Sequence, residues 1–173
     1  MSCITFITGG ARSGKSNLAL KLAGERGNKI AFIATATAKD EEMKKRIEIH
    51  KDNRPLDWST IEEPLDIASA IRSVLDHDLI IIDCITLLVT NLMFSDESAD
   101  ENTVVKGIKE MISAIREFNG AVIIVSNEVG MGIVPDNKLS RDFRDYAGRA
   151  NQMIVEAADE FYVCFSGMPL RLK

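Results

Sequence analysis

The sequence predicts an α/β protein, a mainly parallel sheet with helices on both faces, in one domain over residues 1–173. Three observations carry that reading. Short runs rich in Ile, Val, Phe and Leu alternate with segments of helical periodicity along the whole chain. The run at 79–83 has four apolar residues in a row rather than one at every second position, as suits a strand covered on both faces. The first run also passes straight into a glycine-rich octapeptide and then into a helix start, the strand–loop–helix order of a phosphate-binding loop.

The octapeptide is Gly9-Gly10-Ala11-Arg12-Ser13-Gly14-Lys15-Ser16. Residues 4–8 form the strand that delivers it and 17–22 begin the helix. Glycines let backbone N–H groups point at phosphate oxygens, and the helix N-terminus adds its positive dipole end. Lys15 can reach the β- and γ-phosphates, and the Ser16 hydroxyl can ligate Mg²⁺. A plain glycine-rich turn has no use for Lys-Ser at the helix start.

Residues 29–35 are a second buried strand, after the Gly27-Asn28 turn. Thr37 to Asp40 fits a capping box that opens a helix running to about Lys51, and Arg54-Pro55 stops it. Residues 58–62 are a short strand, and 65–75 have helical spacing. Residues 79–83 are four apolar residues ending in Asp83, a parallel strand with a carboxylate at its ligand-side tip. A short helix over 86–94, an acidic mobile loop over 95–102 and an amphipathic helix over 104–118 follow. The remainder is a strand over 121–126, a loop over 127–137, a helix over 138–158, a strand over 160–165 and an edge strand over 170–172.

Composition narrows the function classes. The formal charge of −5 gives no general attraction to nucleic acid, so phosphate binding must be local. Cys3, Cys84 and Cys164 are widely spaced and show no metal-ligand pattern. No apolar run reaches ~18 residues and no charged leader precedes the first strand, so a cytoplasmic protein without membrane insertion is expected.

Several residues then stand out. Asp83 suits a Mg²⁺ ligand, with an N-cap for the next helix as the alternative. His77, between Asp76 and Asp78, reads as solvated. His50 shares a helix face with Met43, Arg46 and Ile47, and from spacing alone an exposed imidazole is the plainer reading. Lys51, Asp52, Asn53 and Arg54 are too polar for core and form either a solvated helix end or a grip on a triphosphate. Glu62 ends a strand nearby; a carboxylate there can accept from both N1–H and N2–H₂ of guanine, which adenine cannot donate together. Arg141, Arg144, Arg149 and Asn151 line a helix that is either a solvated basic face or a contact for an anionic substrate.

Taken with the blocks Asp40-Glu-Glu-Met43, Arg46-Ile47, Trp58, Thr60, Asp83-Cys84, Thr90-Asn-Leu92, 127–135, Phe143-Arg-Asp145, Ala147-Gly-Arg149 and Asn151-Gln152, these residues name a family. The sequence resembles the bifunctional adenosylcobinamide kinase/adenosylcobinamide-phosphate guanylyltransferases of cobalamin synthesis over essentially its whole length. The 127–135 block and the His50 region are more specific than the phosphate loop, and no functional position departs from the pattern.

The resemblance implies two reactions. ATP or GTP phosphorylates the hydroxyl of the aminopropanol arm of adenosylcobinamide. The histidine that maps to His50 then attacks the α-phosphate of GTP, and GMP passes from it to the phosphorylated corrinoid. Catalysis by His50 and Lys15, nucleotide contacts from residues 9–16, from Ala34, Thr35 and Ala36, and from Lys51 to Arg54, Glu62 and Asp83, and Mg²⁺ at Ser16 and Asp83 are implied. So are a RecA-like core with one antiparallel strand and a homotrimer. The chemistry agrees with the residues: a neutral imidazole, with its reference pKa of ~6.5, is a competent nucleophile near neutral pH. A kinase alone would not need it, and a nucleotide-switched interaction module would need neither it nor a small substrate.

Overall fold

A computed structural model describes residues 2–37, 41–52 and 54–173, without the side chains at 42, 43, 46, 49, 50 and 52. One seven-stranded sheet forms the centre, in the order β3-β2-β4-β5-β1-β6-β7. The strands are β1 (Cys3–Gly9), β2 (Ile30–Ala34), β3 (Ser59–Glu62), β4 (Leu79–Asp83), β5 (Ala121–Val125), β6 (Glu160–Phe165) and β7 (Met168–Arg171). β1 to β6 pair in parallel, and β7 returns antiparallel on β6, with Val163 opposite Leu170. The expected mainly parallel sheet with one antiparallel strand is therefore present.

The helices are α1 (Lys15–Arg26), α2 (Glu41–Asp52), α3 (Ile67–Arg72), α4 (Ile85–Met93), α5 (Glu101–Glu117) and α6 (Lys138–Ala157). The continuous apolar runs are explained by burial on both sides. On one face Ile7, Phe32, Ile81 and Ile123 pack with Ala19 and Ala23 of α1. On the other, Phe6, Ile33, Ile80 and Val122 pack with residues of α3, α4, α5 and α6. Most of β2, β4 and β5 are buried at every position, so their side chains cannot alternate in polarity.

Three boundaries differ from the sequence reading. The helix expected over 65–75 is only α3: Asp66 caps it, accepting from the Ser69 N–H at 3.0 Å, so Leu65 lies before it, and Leu75 lies beyond its end at Arg72. Both leucines are exposed. α5 begins three residues before Val104, because Asp100 and Thr103 form a reciprocal capping box that shortens the acidic loop. The last strand is β7 over Met168–Arg171, earlier than 170–172, after a turn in which Ser166 has φ 49°. The capping box predicted at Thr37 to Asp40 includes residues 38–40, which lie outside the described residues.

His77 corrects another expectation. Its side chain is only 8% exposed and its ring nitrogens meet Asp76 Oδ1 at 2.9 Å and Ser59 Oγ at 3.0 Å. It ties the turn before β4 to the start of β3 rather than standing in solvent. Cys84 and Cys164 are buried and Cys3 is exposed; burial pushes the Cys84 thiol up to about 11, as for an inert core residue.

Candidate active site

The site lies at the carboxyl ends of the parallel strands, where open α/β sheets bind ligands. β1 ends in the phosphate loop. At Gly9 an added Cβ would stand 2.4 Å from the Cys164 carbonyl oxygen, and at Gly14, φ 97°, it would meet Gly167. Only glycine fits these two positions, so the loop is shaped by close backbone approach on its β6–β7 side. Ala11 and Arg12 are exposed at its crest, with Arg12 at φ 55°. Ser13 is buried beneath.

Lys15 is the first residue of α1 and is buried. Its Nζ donates to the Gly10 carbonyl oxygen at 2.6 Å and lies 3.5 Å from Ser13 Oγ. Burial pushes the ammonium pKa down, against the acidic groups of Cys84, Asp83 and Cys164. The amine is thus held inside the loop, bonded to its backbone and to Ser13.

One strand, β5, separates β1 from β4, whose last residue is Asp83. Ser16 and Asp83 line one cavity of about 70 Å³ together with Asn17, Phe32 and Arg54. The cap of α4 is Cys84, which makes no side-chain cap bond, so Asp83 is not the helix cap that the sequence left open. Hard oxygen donors at Ser16 and Asp83 beside a phosphate loop suit Mg²⁺, which takes one or two protein oxygens and completes its shell with phosphate and water. Among the described residues no group of three or more His, Cys, Asp or Glu side chains could hold a metal ion alone.

Arg54 reaches this cavity from beyond α2. Its guanidinium carbon lies 3.6 Å from the centroid of the Phe32 ring. Its Nη1 is buried and, among the described residues, has no hydrogen-bond partner. Burial pushes its pKa down, opposed by the charges of Asp83 and Glu62. A half-buried guanidinium whose Nη1 has no partner among the described residues is a donor poised for an anion.

Glu62 ends β3 next to Ala34 of β2 and forms an exposed ion pair with Lys51. The residues that follow Ala34 part company. Ala36 is partly exposed at this rim. Thr35 is fully buried: its Oγ1 donates to the Cys84 carbonyl oxygen at 2.8 Å and accepts from the Cys84 N–H at 2.9 Å. Its side chain fastens the chain just after β2 to the residue after β4 and is not among those lining the cavity. The backbone of His50 and Asp52 lies in α2, while their side chains, like the whole of Asn53, lie outside the described residues.

Two residues not singled out in the sequence belong to the scaffold of the site. Thr86 Oγ1 accepts from Asn127 Nδ2 at 2.7 Å, and Ser126 Oγ donates to Asn151 Oδ1 at 2.7 Å. Asn151 Nδ2 donates in turn to the Asn127 carbonyl oxygen at 3.2 Å, tying α4, β5 and α6 together. The only sequence signal was a hydroxyl inside or ending an apolar run. On α6, Arg141 donates to the carbonyl oxygens of Pro135 and Asp136, which fixes the end of the 127–137 loop.

With that geometry in place, comparison with known proteins is direct. A family model described as cobinamide kinase / cobinamide phosphate guanyltransferase matches residues 5–172. The bifunctional adenosylcobalamin biosynthesis protein CobU of Salmonella typhimurium is 42% identical, covering 97% of this chain and 98% of its own. CobP of Pseudomonas aeruginosa, which carries the same description, is also 42% identical, over 97% of this chain and 96% of its own. Among solved structures, a KaiC-like protein from Pyrococcus horikoshii superposes with TM-score 0.51 at 12% identity, over 93% of this chain and 70% of its own. That likeness concerns the RecA-like fold alone. The match across nearly the full length shows that the chain belongs to the cobinamide kinase / cobinamide phosphate guanyltransferase family.

Proposed function

We propose that this protein phosphorylates adenosylcobinamide with ATP or GTP and then transfers GMP from GTP to the product, through a guanylyl-histidine at His50, giving adenosylcobinamide-GDP. The observation that carries this reading is the meeting of Ser16, Asp83 and Arg54 in one cavity at the foot of α1. Three segments far apart in sequence supply a hydroxyl, a carboxylate and a guanidinium there, beside the buried ammonium of Lys15.

In the first reaction the substrate hydroxyl oxygen attacks the γ-phosphorus and gives up its proton to water, the β–γ bridge breaks, and the nucleoside diphosphate leaves. Lys15 and the loop N–H groups take up the charge that develops on the leaving phosphate. Mg²⁺, held by Ser16 and Asp83, would neutralise phosphate oxygens. In the second reaction an imidazole nitrogen of His50 attacks the α-phosphorus of GTP and pyrophosphate leaves. A phosphate oxygen of the phosphorylated corrinoid then attacks the same phosphorus, the P–N bond breaks, and His50 is regenerated. Arg54 supports His50 in this role: it lies four positions further along the chain, so their Cα atoms are at most about 14 Å apart. Glu62 reads guanine, releasing Lys51 to do so.

A homotrimer with nucleotide sites near subunit boundaries completes the proposal. Phe165, Met168 and Leu170 on β6 and β7, and Leu172 just beyond β7, are exposed, an apolar edge suited to burial by another copy. The reading is tested by incubating the protein with GTP labelled at the α- or the γ-phosphorus. Acid-labile label retained from α-labelled GTP only, with one pyrophosphate released per protein labelled, is expected. Retention from γ-labelled GTP would refute the transfer of GMP.

A further inference from the structure

We infer that the pocket between α6 and the β1–β6 edge of the sheet is the docking subsite for the corrinoid, taking one side of the macrocycle with its carboxamide arms. The inference rests on the function proposed above. The pocket encloses roughly 610 Å³, within the ordinary range for a small-molecule site of about 300–1,000 Å³. Phe161 forms its floor, stacked on the fully buried Phe6 with centroids 5.5 Å apart. Thr8, Glu128, Gly148, Arg149 and Gln152 are among the other residues that line it.

Two of these residues make poor sense without an occupant. Thr8 is 4% exposed, and among the described residues its buried Oγ1 has no hydrogen-bond partner. A buried hydroxyl without a partner is costly, and valine would fill the same space without that cost. Gly148 stands well inside α6. Glycine is the poorest helix former after proline, so its presence needs a packing reason. Gly107, inside α5, has one: a Cβ there would press within 2.8 Å of Leu92. At Gly148 a Cβ would meet nothing within 4 Å. The space that glycine keeps clear is the pocket itself.

Position and chemistry point to the acceptor rather than to a nucleotide. Thr8 directly precedes the phosphate loop, and the Glu128 N–H donates to the Gly9 carbonyl oxygen at 3.0 Å. One end of the pocket is therefore joined to the loop where the γ-phosphate is bound in the proposed reaction. A corrinoid offers an apolar ring edge for the aromatic floor. It offers amide groups, each with donors and an acceptor, for Thr8, Glu128 and Gln152. Seated there, it can extend its hydroxyl-bearing arm toward the phosphate loop.

The test uses Gly148→Leu, which fills the pocket, and Thr8→Val, which removes only the orphan hydroxyl. Both are compared with the wild type for the KM of cobinamide in the kinase reaction, the Kd of GTP by titration, thermal stability and mass by light scattering. The expected result is a cobinamide KM raised tenfold or more in Gly148→Leu and severalfold in Thr8→Val. GTP affinity should stay within twofold, with mass and melting temperature held. An unchanged cobinamide KM in folded Gly148→Leu would overturn the inference. If that variant does not fold, an unchanged KM in Thr8→Val would do so. Loss of the wild-type mass in Gly148→Leu would instead make this face an interface between copies and also overturn it. A wild-type protein that does not phosphorylate cobinamide would refute the proposed function itself, whatever the variants do.

Discussion

Arg54 and Phe32 are stacked, with the guanidinium carbon 3.6 Å from the ring centroid, and the pair walls the cavity that Ser16 and Asp83 share. The stack holds a flat cation over the ring while its Nη1 has no partner among the described residues. A lysine would keep the charge and lose both the stack and the fork of donors. Arg54→Lys is expected to weaken GTP binding at least fivefold, and Arg54→Ala more, with a stability loss of no more than about 2 kcal/mol. Titration with GTP and thermal unfolding measure the two effects. Wild-type affinity in Arg54→Lys would show that the guanidinium does not hold phosphate.

Glu62 is 58% exposed and paired with Lys51. An exposed pair of this kind is worth at most about 1 kcal/mol, so opening it for a base is inexpensive. Glu62→Gln should weaken GTP by about 1.5–3 kcal/mol, the usual worth of hydrogen bonds to a charged group. ATP should be almost indifferent. Parallel losses for the two nucleotides in the same titration would remove Glu62 from base recognition.

The quaternary proposal has a direct measure. Light scattering should give about three times the chain mass of 19.1 kDa. A stable monomer with full guanylyltransferase activity would exclude a site shared between subunits.

Glu160 gives a pH-dependent stability. Arg26 Nη1 lies 2.8 Å from its Oε2, which also accepts from Thr5 Oγ1 at 2.9 Å, and Arg171 Nη2 lies 3.3 Å from its Oε1. Burial raises its pKa, but the bonds from Arg26 and Thr5 outweigh that and hold it below the reference value of 4.5. A carboxylate with a depressed folded-state pKa stabilises fully above its unfolded pKa and loses that contribution as pH falls through the folded one. Glu160→Gln should therefore cost about 1.5–3 kcal/mol at neutral pH. The difference from wild type should shrink below pH 4.5. Chemical denaturation at several pH values reads it, and a constant difference at all of them would contradict the linkage.

The sheet was legible because its strands are apolar runs with turn signals between them, and the phosphate loop because its spacing is tied to a backbone shape. Asp83 was legible as the one acid at the tip of an apolar strand. What the sequence hid was the direction in which side chains point. Thr35 stands beside Ala34 and Ala36 but turns inward to Cys84, where its hydroxyl satisfies both backbone groups of that residue. His77 has the neighbours of a surface histidine, yet Ser59, eighteen residues away, draws it in. The stacking of Arg54 on Phe32 depends on a turn returning over β2, which no local pattern encodes.

In the proposed function one nucleotide site serves two reactions, and His50 belongs to only one of them. The most direct measurement compares His50→Ala with wild type for both activities on the same preparation: phosphorylation of cobinamide, and retention of label from α-labelled GTP. The expected result is abolition of protein guanylylation, at least a thousandfold below wild type, with kinase turnover within about tenfold, since only the second reaction has a nitrogen nucleophile. Equal loss of both activities in a folded His50→Ala protein, or undiminished guanylylation, would contradict the account.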